Sequence, residues 1–201
     1  MKKTLLLVMM AACVFAQDPP KPLKKGLYAN FKTEFGDIKA VLFEKDTPRA
    51  VALFIRLAQG QQDFRDVDGQ IVKRRFYDNT TFFRVVPESA VQAGSPDGSN
   101  PYNCGLKIKD ELLPGLRFQP GSLAIANAGP DTGGCQFFIT VAAMSSWNMK
   151  YTVFGQVVEG LDVVDKIAKV PVHDERPLNP PKLIGVTVQR VGPPPAEKPK
   201  K

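Results

Sequence analysis

The chain has 201 residues, 43% hydrophobic and 23% charged, which suits one domain with a sizeable core and is short for two. Its formal net charge of +7 is partly terminal, and only Lys73-Arg74-Arg75-Phe76 hints at a basic face interleaved with an aromatic, so a nucleic-acid partner is not expected. A single histidine, three cysteines and no Cys-x-x-Cys pair argue against a metal site, and no cofactor-binding motif is present.

Lys2 and Lys3 precede an apolar run over residues 5–15, and Val14-Phe15-Ala16 offers small residues at a cleavage point. The pattern predicts a signal peptide over residues 1–16 and an exported protein, periplasmic or secreted. Met10-Ala11-Ala12-Cys13 is a weaker lipoprotein box, because the apolar segment before Cys13 is short. No later stretch is long and apolar enough to span a bilayer, so no stable membrane insertion is expected after processing. Residues 17–26 read as a Pro/Lys-rich linker and 27–191 as the domain.

Residues 27–33 and 38–43 alternate as strands around a turn at 34–37, which predicts a hairpin. Thr47 then supplies a helix cap with Pro48 at the first helical position. Val51, Phe54, Ile55 and Ala58 recur at helical spacing until Gly60. Residues 61–75 are polar and irregular. Short apolar runs follow at 81–86, 90–93, 121–128, 136–140 and 151–158, separated by Gly/Pro clusters at 94–98 and 129–134. Leu161, Val164 and Ile167 mark a second helix over about 161–168, and 182–190 is a last alternating strand. Many short strands with two helices predict a closed or nearly closed antiparallel barrel whose open ends the helices cover. Residues 192–201, rich in Pro and Lys, are expected to be disordered.

The common catalytic constellations are missing. A Ser-His-Asp or Cys-His site would have to use His173, which lies in a charged, Pro-flanked loop, and no phosphate-cradling Gly-rich loop occurs. Asp131-Thr132-Gly133 has the form of an aspartic-protease triplet, but Gly129-Pro130 before it and Gly134 after it read as a turn.

Three longer segments carry a resemblance. Phe82-Phe83-Arg84-Val85-Val86-Pro87 followed by Val91-Gln92-Ala93-Gly94 resembles the active-site strand pair of the cyclophilin-type peptidyl-prolyl isomerases. Residues 123–140, with Asn127, Gly133-Gly134-Cys135-Gln136 and Phe137-Phe138, resemble that family's longest signature, and residues 152–164 its closing strand and helix. With Asp110-Glu111, the likeness runs in order through residues 27–191. It implies a mainly β fold, a closed eight-stranded antiparallel barrel capped by two α-helices. It also implies an isomerase acting on proline-containing segments of unfolded or exported proteins, without a cofactor and as a monomer.

The same resemblance assigns residues. Arg84 matches the arginine that donates to the twisted prolyl group, Gln92 the residue that orients it, and Asn127 the position whose backbone binds the substrate chain. Phe83, Ala126, Ala128 and Gln136 match groove positions, and Phe138 the floor of the proline pocket. Ser89 and Ala90 stand where the family has two large apolar residues. An ungapped count puts Ser146 at a family tryptophan, Trp147 at a leucine and Tyr151 at a histidine. Trp147 is then expected to refill the pocket, either from the opposite side or through a one-residue shift. Cys104 and Cys135 fall on loops that the family holds close together, so a disulfide is one of two open readings, the other being two buried thiols. These departures keep a non-catalytic peptide-binding module as the alternative to an active isomerase.

Overall fold

The computed structural model describes residues 23–99 and 104–193. The expected signal peptide with Cys13, all of the linker but its last four residues, and the tail beyond residue 193 lie outside them.

Strands β1 (Gly26–Thr33) and β2 (Gly36–Leu42) form the first hairpin. The Thr33 hydroxyl donates to the Gly36 carbonyl at 2.6 Å and accepts the Phe35 N–H at 3.1 Å, which closes the turn. Helix α1 (Pro48–Ala58) follows. Next come a small hairpin of β3 (Phe64–Arg65) and β4 (Ile71–Val72), then β5 (Thr80–Val86) and β6 (Ala90–Ala93). The chain continues through β7 (Ser122–Ile125), β8 (Phe137–Thr140), β9 (Val153–Glu159) and helix α2 (Leu161–Ala168). It ends with a second small hairpin, β10 (Val172–His173) and β11 (Arg176–Pro177), and the long β12 (Lys182–Val191).

Eight strands close a barrel in the order β1-β12-β5-β6-β8-β7-β9-β2, with every pair antiparallel. The outer residues of β1 and β12 pair end to end, Gly26 opposite Val191. The seam between β12 and β5 is short, two residue pairs long.

Strand alternation sorts side chains between two apolar clusters. Phe31, Phe137, Ile139, Leu123 and Phe154 point into the barrel, where Phe54 of α1 meets Phe31, Phe137, Phe154 and Tyr77 at ring separations of 5.1–5.8 Å. Val163, Val164 and Ile167 of α2 join the same core. Their neighbours Ala90, Ala124 and Phe138 point outward and build a second cluster with Phe118 and Val153.

Two details depart from the sequence reading. Thr47 does not cap α1 with its side chain; its hydroxyl donates to the Phe43 carbonyl at 3.3 Å. The Glu111 carboxylate takes that place, accepting the N–H groups of Arg49 and Ala50 at 3.1 and 3.0 Å, where an anion also meets the positive end of the helix. Residues 61–75 are also less irregular than expected. Phe64 is buried edge-on against Phe76 at 4.7 Å and carries Arg74 on its face. Arg74 pairs with Asp66 and Arg75 with Asp78, so two of the three cations in the basic run have carboxylate partners.

Candidate active site

The site lies on the outward face of β5, β6, β8 and β7, and register brings its residues into one row. Arg84 stands opposite Gln92, Gln92 opposite Phe138, and Phe138 opposite Ala124. A register shift between Phe82 and Arg84 leaves Phe83 without a partner on β6. This bulge allows Phe83 and Arg84 to line the same cavity, which simple alternation would forbid.

That cavity is a groove of about 870 Å³. Its apolar end is lined by Phe138, Trp147 and Tyr151, with Phe118 buried behind them. Phe138 stacks on Phe118 at 5.7 Å and 15° and meets Trp147 and Tyr151 edge-on at 5.4 and 5.3 Å. Trp147 ends a short 3-10 turn, Ser145–Trp147, and is half-buried against these rings, whereas Ser146 is exposed. Trp147, and not Ser146, is therefore the residue that lines the groove beside Phe138. Ala90 is buried in the wall, and Ser89 is absent from the lining, its backbone being used in the β5–β6 turn and by Val141.

The polar end is a relay of side chains. The Arg84 guanidinium donates through Nη1 to Gln92 Oε1 at 3.1 Å, and Gln92 Nε2 donates to Gln136 Oε1 at 2.6 Å. Gln92 and Gln136 are 8% and 9% exposed, so their amides are oriented by one another and not by solvent. On its other side Arg84 donates through Nε to Glu175 Oε2 at 2.7 Å.

Ala126, Asn127 and Ala128 form the rim between these ends. Asn127 Nδ2 donates to the Lys150 carbonyl at 2.9 Å, which ties the rim to the Trp147–Tyr151 loop. Among the described residues, neither the backbone N–H nor the C=O of Asn127 meets an intramolecular partner. This leaves one strand-like pair of groups open to an extended peptide.

The groove is braced from behind. A side chain at Gly94, whose φ is +93°, would place its Cβ 2.6 Å from the Cys135 carbonyl oxygen and 2.9 Å from Gln136 Cα, so the chain leaving β6 can pass the segment entering β8 this closely only as glycine. The Tyr77 hydroxyl donates to the same Cys135 carbonyl at 3.0 Å, and burial pushes its phenol far above the usual range, so it stays a neutral donor. Cys104 and Cys135 are joined by a disulfide at the groove edge. Asp131 and Thr132 build a turn. Asp131 and Asp110 exchange backbone-to-carboxylate bonds at 2.8 and 2.9 Å, while the Thr132 hydroxyl donates to the Gly129 carbonyl. Among the described residues, no group of three or more His, Cys, Asp or Glu side chains is placed to hold a metal ion.

Two residues of the site escaped sequence reasoning. Phe118, which backs the groove, sits between Pro114 and Pro120 in a segment with no periodicity, and being the one aromatic there was its only signal. Glu175 lies 91 residues from Arg84, and nothing local to it announces the contact.

Residues 28–188 match the family model described as cyclophilin type peptidyl-prolyl cis-trans isomerase/CLD. The chain is 40% identical over 169 residues to peptidyl-prolyl cis-trans isomerase B of Streptomyces anulatus, covering 81% of this chain and 97% of the relative. It is 39% identical over 166 residues to peptidyl-prolyl cis-trans isomerase A of Mycobacterium tuberculosis, covering 80% and 91%. Among solved structures it resembles a cyclophilin type peptidyl-prolyl cis-trans isomerase of Cryptosporidium parvum, with a TM-score of 0.69 at 24% identity, covering 82% of this chain and 99% of that one.

Proposed function

The chain belongs to the cyclophilin-type family and is a peptidyl-prolyl cis-trans isomerase, and from that premise we propose that it speeds X-Pro rotation in exported proteins through Arg84. Rotation is slow because amide resonance resists it with a barrier of about 18–20 kcal/mol, which leaves uncatalysed exchange at tens to hundreds of seconds. No covalent bond needs to break. The proline ring enters the nest of Phe138, Trp147 and Tyr151, and the chain around it pairs with the open backbone groups of Asn127. As the amide twists, its nitrogen loses conjugation and becomes a better acceptor. An Arg84 N–H then donates to it, strengthening only in the twisted state, which is the condition for lowering a barrier.

The observation that carries this reading is the relay Gln136–Gln92–Arg84, which fixes a charged donor beside an apolar pocket. The test is isomerisation of a short Ala-Pro peptide by the purified domain. Arg84→Ala should lower kcat/KM about 100-fold, in line with loss of one preorganised charged donor. An unchanged rate in this variant would refute the role. A folded parent protein without any acceleration would instead indicate a peptide-binding module, the reading that the small Ala90 in the groove wall favours.

The basic, then apolar, then small-residue pattern of residues 1–16 supports export. The mature protein recovered from the periplasm or medium should begin at Gln17; recovery of the intact chain from the cytoplasm alone would overturn that assignment.

A further inference from the structure

Glu175 occupies the second position of the two-residue turn between β10 and β11, where Asp174 and Glu175 have φ of +50° and +63°. Both lie in the left-handed region, the geometry of a tight hairpin turn that Asn-Gly and Asp-Gly adopt with the least conformational cost. A glutamate at the glycine position is therefore held against local preference. The Glu175 carbonyl accepts the Val85 N–H at 2.8 Å, which fastens the turn to β5 one residue past Arg84.

From that anchor the Glu175 carboxylate reaches the guanidinium by one edge. Its Oε2 lies 2.7 Å from Arg84 Nε and 2.6 Å from Nη2, while Gln92 holds Nη1 at 3.1 Å. Arginine has five N–H donors; here Nε and one N–H of Nη1 make hydrogen bonds, Nη2 adds an ion-pair contact to the same carboxylate oxygen, and N–H groups on both Nη atoms remain for another acceptor. The two side chains are 37% and 42% exposed, and ion pairs this open add little to folding stability. The neighbouring charges of the turn take no part in this contact, since His173 and Asp174 are 82% and 89% exposed and turn to each other at 3.4 Å.

We propose that Glu175 is a positioning residue for isomerisation, holding the Arg84 guanidinium so that its remaining Nη N–H groups are offered to the twisted prolyl amide. This rests on the reading of Arg84 as the donor. Gln92 alone holds one corner of a side chain with several rotatable bonds. Glu175 adds a second point and fixes the plane.

The experiment uses the mature protein and its Glu175→Ala, Glu175→Gln, Arg84→Ala and Arg84→Ala/Glu175→Ala variants, with kcat and KM for an Ala-Pro peptide and a thermal midpoint for each. Glu175→Ala should lower kcat about fivefold to tenfold with KM within about twofold and an unchanged midpoint, because orientation acts on the transition state. Glu175→Gln keeps an acceptor oxygen and should recover most of the rate. In the Arg84→Ala background, Glu175→Ala should have no further effect. A kcat in Glu175→Ala equal to or above the parent's would overturn the proposal, the increase indicating that the carboxylate competes with substrate for Arg84. A loss that persists undiminished without Arg84 would overturn it as well. Failure of the underlying reading has its own signature, parent-like activity in Arg84→Ala, and the proposal falls with it.

Discussion

Removing the cross-link at the groove edge should unfold this protein much more readily. The Cys104–Cys135 bond joins residues 31 apart in sequence, and closing a loop of that length restricts the unfolded chain by about 4 kcal/mol at 25 °C. Both cysteines are 2% exposed, so alanine is the appropriate replacement, since a buried serine hydroxyl without a partner would add a cost of about 1–3 kcal/mol. For a single domain of this size, a loss of about 4 kcal/mol corresponds to a drop of about 10 °C in Tm. The assay is equilibrium unfolding in guanidinium chloride of the parent, the parent with reductant, and Cys104→Ala/Cys135→Ala. The reduced parent and the variant should unfold at nearly the same denaturant concentration, well below the oxidised parent. Their m-values should be larger, because an uncrosslinked chain exposes more surface on unfolding. A stability difference under about 1 kcal/mol between oxidised and reduced protein would refute the reasoning and mean that the unfolded chain is compact without the bond.

Trp147→Ala removes one wall of the ring nest from a half-buried position. About 1–2 kcal/mol of apolar contact is lost, which should raise KM for an Ala-Pro peptide roughly tenfold; an unchanged KM would place the proline elsewhere. Glu44 and Arg190 form a two-pronged pair at 2.9 and 2.6 Å, and hydrogen bonding from Arg190 holds the Glu44 carboxyl below its ordinary value of 4.5. Its contribution is therefore present above the unfolded value and lost as pH falls through the lower folded one. Glu44→Gln should cost about 1 kcal/mol at neutral pH by chemical denaturation, with the difference shrinking below about pH 4. A difference independent of pH would sink this account.

The barrel was legible in the sequence because several of its strands carry inward apolar residues at period two, as Leu123, Ile125, Phe137 and Ile139 do, while in β5, β9 and β12 the inward residues fall three apart. The row Arg84, Gln92, Phe138 was legible for a different reason: long motifs carried it, and antiparallel register then set the residues side by side. What could not be read depends on contacts between distant segments. The β3–β4 and β10–β11 hairpins have strands of two residues, too short for any period to register. Thr47 looked like a cap because caps are usually local, yet Glu111 arrives from more than 60 residues away. Trp147 was ambiguous by one position along the chain, and only the 3-10 turn beneath it decides which neighbour faces Phe138.

The pairing of Gly26 with Val191 has a consequence for how the domain can be combined with others. Entry and exit of the fold lie one strand spacing apart, about 5 Å. A unit with adjoining ends can be spliced into a surface loop of a host protein without prising that loop open, and its own ends can be joined while a new pair is cut elsewhere. The same geometry means that anything fused before β1 and anything fused after β12 start out as neighbours, so two different tethers would project from a single point on the surface.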